Sequence, residues 1–368
     1  MTRFLSQKIR FYSFVCIALL LFVHGYNLKE TYLQPFTQVN EPLTFTTFFE
    51  YYIANALLRF RIPLLFIISG YIFSMQDKYP YKERIGKRFK TLILPYFFWS
   101  AVGLGVSYLW QQSPSTLEAW QNAKLDQLGE NIPYEDMSFT DILKRWVIFP
   151  IAYQLWFIRS LFFYNLAYPA FRWIVTKFPI IWFSIMFILM LLLFQFIFFE
   201  AQGIFFFTLG IWLHKSSFPV ERRPVWYSNY LAWLFFIGFG IIKTFMAFEF
   251  EGYEYSTVVP MIVLHYVSII AGVMAVWYSG DAVVKWCMNR KWFLWATSFS
   301  FVIYGLHVPL LPYLTHFVYL YFSELPYIRI ITFIFVPVSI LMFCIGTGAL
   351  IRYVSPSFYR FITGGSGI

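Results

Sequence analysis

From Ile180 to Phe199 the chain runs for 20 residues without a charged side chain. A helix that crosses the roughly 30 Å hydrocarbon core of a bilayer needs about 20 apolar residues. Further apolar runs recur along the sequence, one of them Ile17 to Val23. Of 368 residues, 60% are hydrophobic and only 12% are charged, and the mean hydropathy is +0.62. An ordinary soluble domain carries roughly 25% charged residues, so this composition excludes a soluble enzyme. The runs are continuous and do not alternate every second residue, which argues against a β-barrel.

Ten candidate spans follow: 11–28, 51–75, 92–110, 154–171, 178–199, 201–213, 229–248, 257–278, 292–318 and 328–350. The expected fold is an all-α polytopic membrane protein with about ten transmembrane helices. The membrane domain covers 1–352, and 353–368 form a short tail ending in a frayed GGSG stretch. The fifth and sixth spans are separated only by Glu200, so one long broken segment is the alternative there.

Charge fixes the orientation. With the N-terminus in the cytoplasm, the inner side holds 19 basic residues against four acidic ones, and the outer side five against 14. Four basic residues fall within spans: Arg59, Arg61, Arg159 and Lys243. Basic excess on the cytoplasmic side is the rule for membrane proteins, so both termini are expected inside. The net charge of +10 then belongs to a membrane-facing side and does not indicate a nucleic-acid partner. Cys16, Cys287 and Cys344 stand alone, suggesting neither a disulfide framework nor a zinc site. The N-terminus has basic residues and an apolar run but no convincing cleavage site, and reads as a retained first span. The outer loop 111–153 contains Pro114, Pro133 and Pro150; it reads equally as a cap over a site or as a solvated spacer.

Polar side chains at membrane depth are costly and usually face a bundle interior, a cavity or a partner. His24 lies four residues before the expected end of span one, about 6 Å below its edge. It reads either as a general base, because a neutral imidazole accepts a proton near neutral pH, or as an interfacial anchor. In RFRIPLLFIISGY, Arg59 and Arg61 are two apart and so face different partners. Pro63 removes a helical hydrogen bond, and Ser69-Gly70 permit close packing or a break. A helix interrupted beside buried positive charge reads as an anion or cofactor site; the alternative is an arginine pair bracing the bundle through carbonyls and acids. Glu50 is the nearest candidate acid, and alternatively sits near His24.

In YQLWFIR, Arg159 stands at the outer entrance of span four, where it meets substrate or the interface. In YGLHVP, Tyr304 and His307 share a face and read as a hydrogen-bonded pocket pair. Lys243 reads as snorkelling outward; His265, His214 and His316 lack distinctive context. The basic segment with Arg84 and Arg88 reads as an anchor on anionic lipid or as a capture site for a phosphate-rich cofactor. No close metal-ligand motif is present.

These residues resemble the integral-membrane acyltransferase 3 family, whose members O-acetylate sugars of surface polysaccharides. The matching pieces are the histidine in IALLLFVHGYN, the Arg61-to-Tyr71 pattern, the basic segment leading to Leu94-Pro95-Tyr96, LWFIRSL and YGLHVP. The stretch RFYSFVCIA lacks the Asp and Arg that many members carry before the histidine. The resemblance implies ten core spans, acyl-CoA (acetyl-CoA above all) as donor substrate without a metal, and a bacterial inner or plasma membrane location. It gives His24 a catalytic role, and Arg59 and Arg61 roles toward the donor or the transition state. The expected reaction is acyl transfer to a hydroxyl of an envelope glycan or lipid-linked sugar. Arg84 and Arg88 are further donor-binding candidates; Glu50, Arg159, Tyr304 and His307 are acceptor-side candidates. A glycan or lipid transporter is the alternative, but only one interrupted segment, around Pro63, stands out in the sequence.

Overall fold

A computed structural model of the chain describes residues 1–30, 32–129, 131–196, 198–250 and 252–365. Residues 366–368 of the expected tail lie outside the described residues. The helices are α1 (Arg3–Ala18), α2 (Leu20–His24), α3 (Phe45–Tyr52), α4 (Arg61–Met75), α5 (Tyr81–Arg88), α6 (Leu94–Trp110), α7 (Pro114–Ala123), α8 (Phe139–Val147), α9 (Trp156–Lys177), α10 (Pro179–Leu191), α11 (Ala201–Lys215), α12 (Asn229–Glu249), α13 (Tyr255–Ser279), α14 (Asp281–Met288), α15 (Lys291–Thr297), α16 (Ser300–Phe322), α17 (Ile328–Val354) and α18 (Pro356–Ile362). A two-residue hairpin pairs β1 (Gln195–Phe196) with β2 (Phe199–Glu200).

Seven described helical segments are long and apolar enough to cross a membrane, and α9 with α10, bent by 117°, brings the number to eight. The fold is therefore that of an all-α, multi-pass membrane protein. Sequence periodicity misplaces several limits. The first span, α1 with α2, runs from Arg3 to His24, so His24 is its last helical residue and the helix does not continue to residue 28. The fifth expected span, 178–199, is a 13-residue helix followed by the hairpin. At 1.5 Å per residue, α10 is about 20 Å long. Apolarity marked the whole stretch, but it does not distinguish a helix from a hydrophobic hairpin.

The chain divides into two compact units. The first comprises Met1–Cys16, Tyr32–Arg88 and Ser160–Leu294. In it α4 packs on α11, and α12 on α13. Gly70 and Gly210 let the α4 and α11 backbones touch: a Cβ on either would come within 2.0 or 2.1 Å of a carbonyl oxygen of the other helix. Without a hydrophobic force between helices in lipid, such close packing supplies the association. The second unit comprises Ile17–Thr31, Phe89–Arg159 and Trp295–Ile368. There α16 packs against α2, α6, α7 and α17. Gly305 lies under the Trp99 ring, where a Cβ would come within 2.3 Å.

The stretch 111–153 is no solvated spacer. Ser138 caps α8, accepting from Asp141 N, and Trp120, Leu125, Tyr134, Ile151, Val308 and Tyr313 form a buried cluster. Beneath it Arg145 donates from Nε to Asp126 Oδ2 at 3.0 Å and from Nη2 at 2.5 Å, with both side chains buried. Burial pushes the Tyr134 hydroxyl up to about 12.

Candidate active site

The second unit is organised around an interruption in α16. Pro309 and Pro312 have no N–H, so the carbonyls of Gly305 and Val308 lose their helical donors. Val308 leaves the helical region (φ −105°, ψ 132°). The buried Gln154 answers this break. Its Nε2 donates to Tyr304 O at 3.1 Å and reaches Gly305 O at 3.4 Å and Val308 O at 3.5 Å. Tyr304 returns the contact, its hydroxyl donating to Gln154 O. His307, fully buried, stands just before the break with Nδ1 2.8 Å from Ile303 O. A carbonyl only accepts, so the proton is on Nδ1, and in the neutral ring the lone pair is on Nε2.

Tyr153 precedes Gln154 in the turn Tyr153–Leu155 and packs on the buried cluster of the stretch 111–153. Its hydroxyl lies 2.5 Å from His24 Nδ1. The His24 ring meets Tyr153 edge-on at 4.9 Å and stacks on His307 at 5.6 Å. His24 and Tyr153 are half-buried, in contrast to the fully buried His307. When Nδ1–H donates to Tyr153 Oη, Nε2 carries the lone pair and can act as a base. Arg159, also buried, donates to Ile148 O.

The first unit has its own interruption. A π-helical turn, Ile53–Leu57, ends in the turn 58–60, and α4 restarts at Arg61. The break falls ahead of Pro63, which occupies the first turn of α4 where its missing N–H is tolerated; Ser69 and Gly70 continue the helix. Three cations meet the opened carbonyls. Arg59 donates to Ala54 O at 3.0 Å and Leu33 O at 2.7 Å. Arg61 donates to Leu58 O at 2.5 Å and Cys16 O at 3.4 Å. Lys243 donates to Asn55 O at 2.7 Å and lies 2.9 Å from His265 Nδ1. Lys243 is fully buried and does not snorkel: a carbonyl stripped of its helical donor is a nearer partner than the interface. Neither Arg61 nor Lys243 has a carboxylate partner among the described residues. Glu50, in α3, is fully buried.

Arg84 and Arg88 flank the same Phe73 ring, at 4.7 and 5.5 Å. Arg84 is buried and pairs with Asp77 at 2.8 Å. Asp77 also meets Arg172 at 3.3 Å, Lys215, and the Tyr168 hydroxyl at 2.7 Å. Burial alone would raise the Asp77 carboxyl. Its bonds to Lys215 and Tyr168 and the charges of Lys215 and Arg172 outweigh this and hold it below the usual carboxylate range. Sequence reasoning passed over Tyr153, Gln154, Lys243 with His265, and the Asp77 group. Pro309 and Pro312 were the available signal for the first two.

The candidates thus separate by unit: His24, Arg159, Tyr304 and His307 in the second; Glu50, Arg59, Arg61, Arg84 and Arg88 in the first. Among the described residues no group of three or more His, Cys, Asp or Glu side chains could hold a metal ion. Fold and site define a multi-pass membrane protein with a histidine–tyrosine–histidine cluster beside a broken helix. The chain belongs to the acyltransferase 3 family, whose model, described as an acyltransferase domain, matches residues 7–344. It is accordingly a membrane-embedded transferase. Neither the curated proteins nor the solved structures give a match.

Proposed function

We propose that the protein transfers an acyl group, acetyl by family resemblance, from acyl-CoA to a hydroxyl of an envelope glycan or lipid-linked sugar. The observation that carries this is the half-buried His24 held at Nδ1 by Tyr153. Tyr153 Oη accepts a hydrogen bond from His24 Nδ1–H and so orients the ring, leaving Nε2 as general base. His24 Nε2 takes the acceptor's hydroxyl proton while that oxygen bonds to the thioester carbonyl carbon. The carbon–sulfur bond then breaks, and Nε2 returns the proton to the departing thiolate. Such acid–base catalysis contributes about 10²–10⁴-fold. His307 backs the His24 ring, with Tyr304 and Gln154 holding its helix.

We assign Arg59, Arg61, Arg84 and Arg88 to the donor's negative charges; Arg61 commits two of its five N–H donors to carbonyls and is the candidate for stabilising developing charge. Glu50 and Arg159 are assigned to the acceptor. The proposed topology keeps ten spans and cytoplasmic termini, with α9, α10 and α11 each counted as a crossing beside the seven long helical segments.

Purified protein given labelled acyl-CoA and a glycan acceptor should transfer label, and a folded His24→Ala variant should not. Wild-type rates in that variant would overturn the base assignment. Two interrupted helices also suit a transporter; label-free flux of the glycan in vesicles without acylation would favour that reading.

A further inference from the structure

Around Asp77 one carboxylate serves three cations, Arg84, Arg172 and Lys215. Two positive charges are left in excess in a half-buried setting. Arg172 and Lys215 share a single carboxylate oxygen, Asp77 Oδ2, so neither has an acid of its own in this group. The members differ in freedom. Arg84 is fixed: it donates to Phe73 O at 3.1 Å and its guanidinium lies over the Phe73 and Tyr168 rings. Its Nε is a buried donor with no hydrogen-bond partner. Arg172, 51% exposed, and Lys215, 21% exposed, face solvent. Tyr168 and His214, both bonded to Ser74 Oγ, add polar groups beside them. Arg88 brings a fourth cation to the same Phe73 ring.

We propose that Asp77, Arg172 and Lys215, backed by Arg84, form a phosphomonoester-binding site in which Asp77 is a built-in counter-ion. The incoming phosphate takes Arg172 and Lys215 from Asp77, while Arg84 stays with it. A dianion matches the excess charge, and its three terminal oxygens accept more bonds than the carboxylate it displaces. The phosphate belongs either to a soluble phosphorylated nucleoside or to an anionic lipid headgroup. The soluble source rests on the acyl-CoA reading above; the lipid source does not.

The test is binding of adenosine 3′,5′-bisphosphate, with adenosine as control, to full-length protein in phosphatidylcholine nanodiscs. A parallel arm measures phosphatidate retained through purification. The bisphosphate should bind and adenosine should not. The double variant R172Q/K215Q should weaken binding at least about tenfold, as expected for two lost charge-assisted bonds, in protein that is still fully folded at the assay temperature. D77N, which removes the competing anion, should tighten binding several-fold. Loss of phosphatidate in the double variant, without bisphosphate binding to wild type, assigns the lipid source. Affinities within twofold of wild type in the double variant in both arms, or no binding in either, overturn the proposal; the double variant decides alone should D77N not fold. Acyl transfer is measured separately, so failure of the His24 assignment leaves this result intact.

Discussion

At Val308 the opened carbonyls of α16 meet a neutral amide, Gln154, whereas between Ile53 and Arg61 they meet Arg59, Arg61 and Lys243. Both regions solve one problem: a backbone acceptor in a membrane helix cannot be left to lipid. The choice of donor sets the chemistry that follows. An amide cap adds no charge, so histidines become the titratable groups of that region. Cationic caps satisfy the carbonyls and leave positive charge that a donor's phosphates could use.

The contrast can be broken at several points. His24→Ala should show the largest effect, an activity loss of about 10²–10⁴-fold, read by acyl transfer in folded protein. Gln154→Leu strips the donor from the α16 break; a stability loss of about 1–3 kcal/mol is expected from stranded buried acceptors, measured by thermal unfolding in detergent. Tyr153→Phe keeps the ring but loses the partner of Nδ1. About a tenfold fall in kcat with little change in KM is expected, the size of one hydrogen bond to a charged imidazole; an unchanged pH–rate profile would count against Tyr153 as the orienting group.

Asp77 sharpens the cationic side. Its carboxyl is held low, so its stabilisation is complete above about pH 4 and fades as pH falls through the depressed value. D77N should flatten the acid limb of melting temperature against pH. Lys243→Met should change least, within about 1 kcal/mol, because losing the bond to Asn55 O is offset by no longer burying a charge. A large destabilisation there would mean that the cation does more than cap.

The uncharged runs made the membrane class legible, and the pieces around His24 and Arg61 made the family legible. The break near Pro63 was readable because proline announces it, though the interruption lies a few residues earlier. The break at Val308 was announced by Pro309 and Pro312 and was passed over, because His307 drew attention as a side chain and not as the last residue of a helix segment. Lys243 and His265 lie 22 residues apart on different helices, so nothing in the sequence joins a lysine read as snorkelling to a histidine without distinctive context. Tyr153 and Gln154 carry no sequence signal of their own, because their partners, His24 and the α16 carbonyls, are at least 129 residues away.

The sequence by itself determined the solvent: apolar runs recurring along a chain that is only 12% charged match a bilayer and leave too little polar surface for water. It also determined how few polar groups had to be accounted for. Only the tertiary structure decided which of them meet. Tyr153 and His24 are 129 residues apart, Gln154 and Tyr304 150, and Lys243 and Asn55 188. Hydrophobic burial needs only composition and run length, but a hydrogen bond needs two atoms within about 3 Å, and chain folding alone brings such distant partners to that distance.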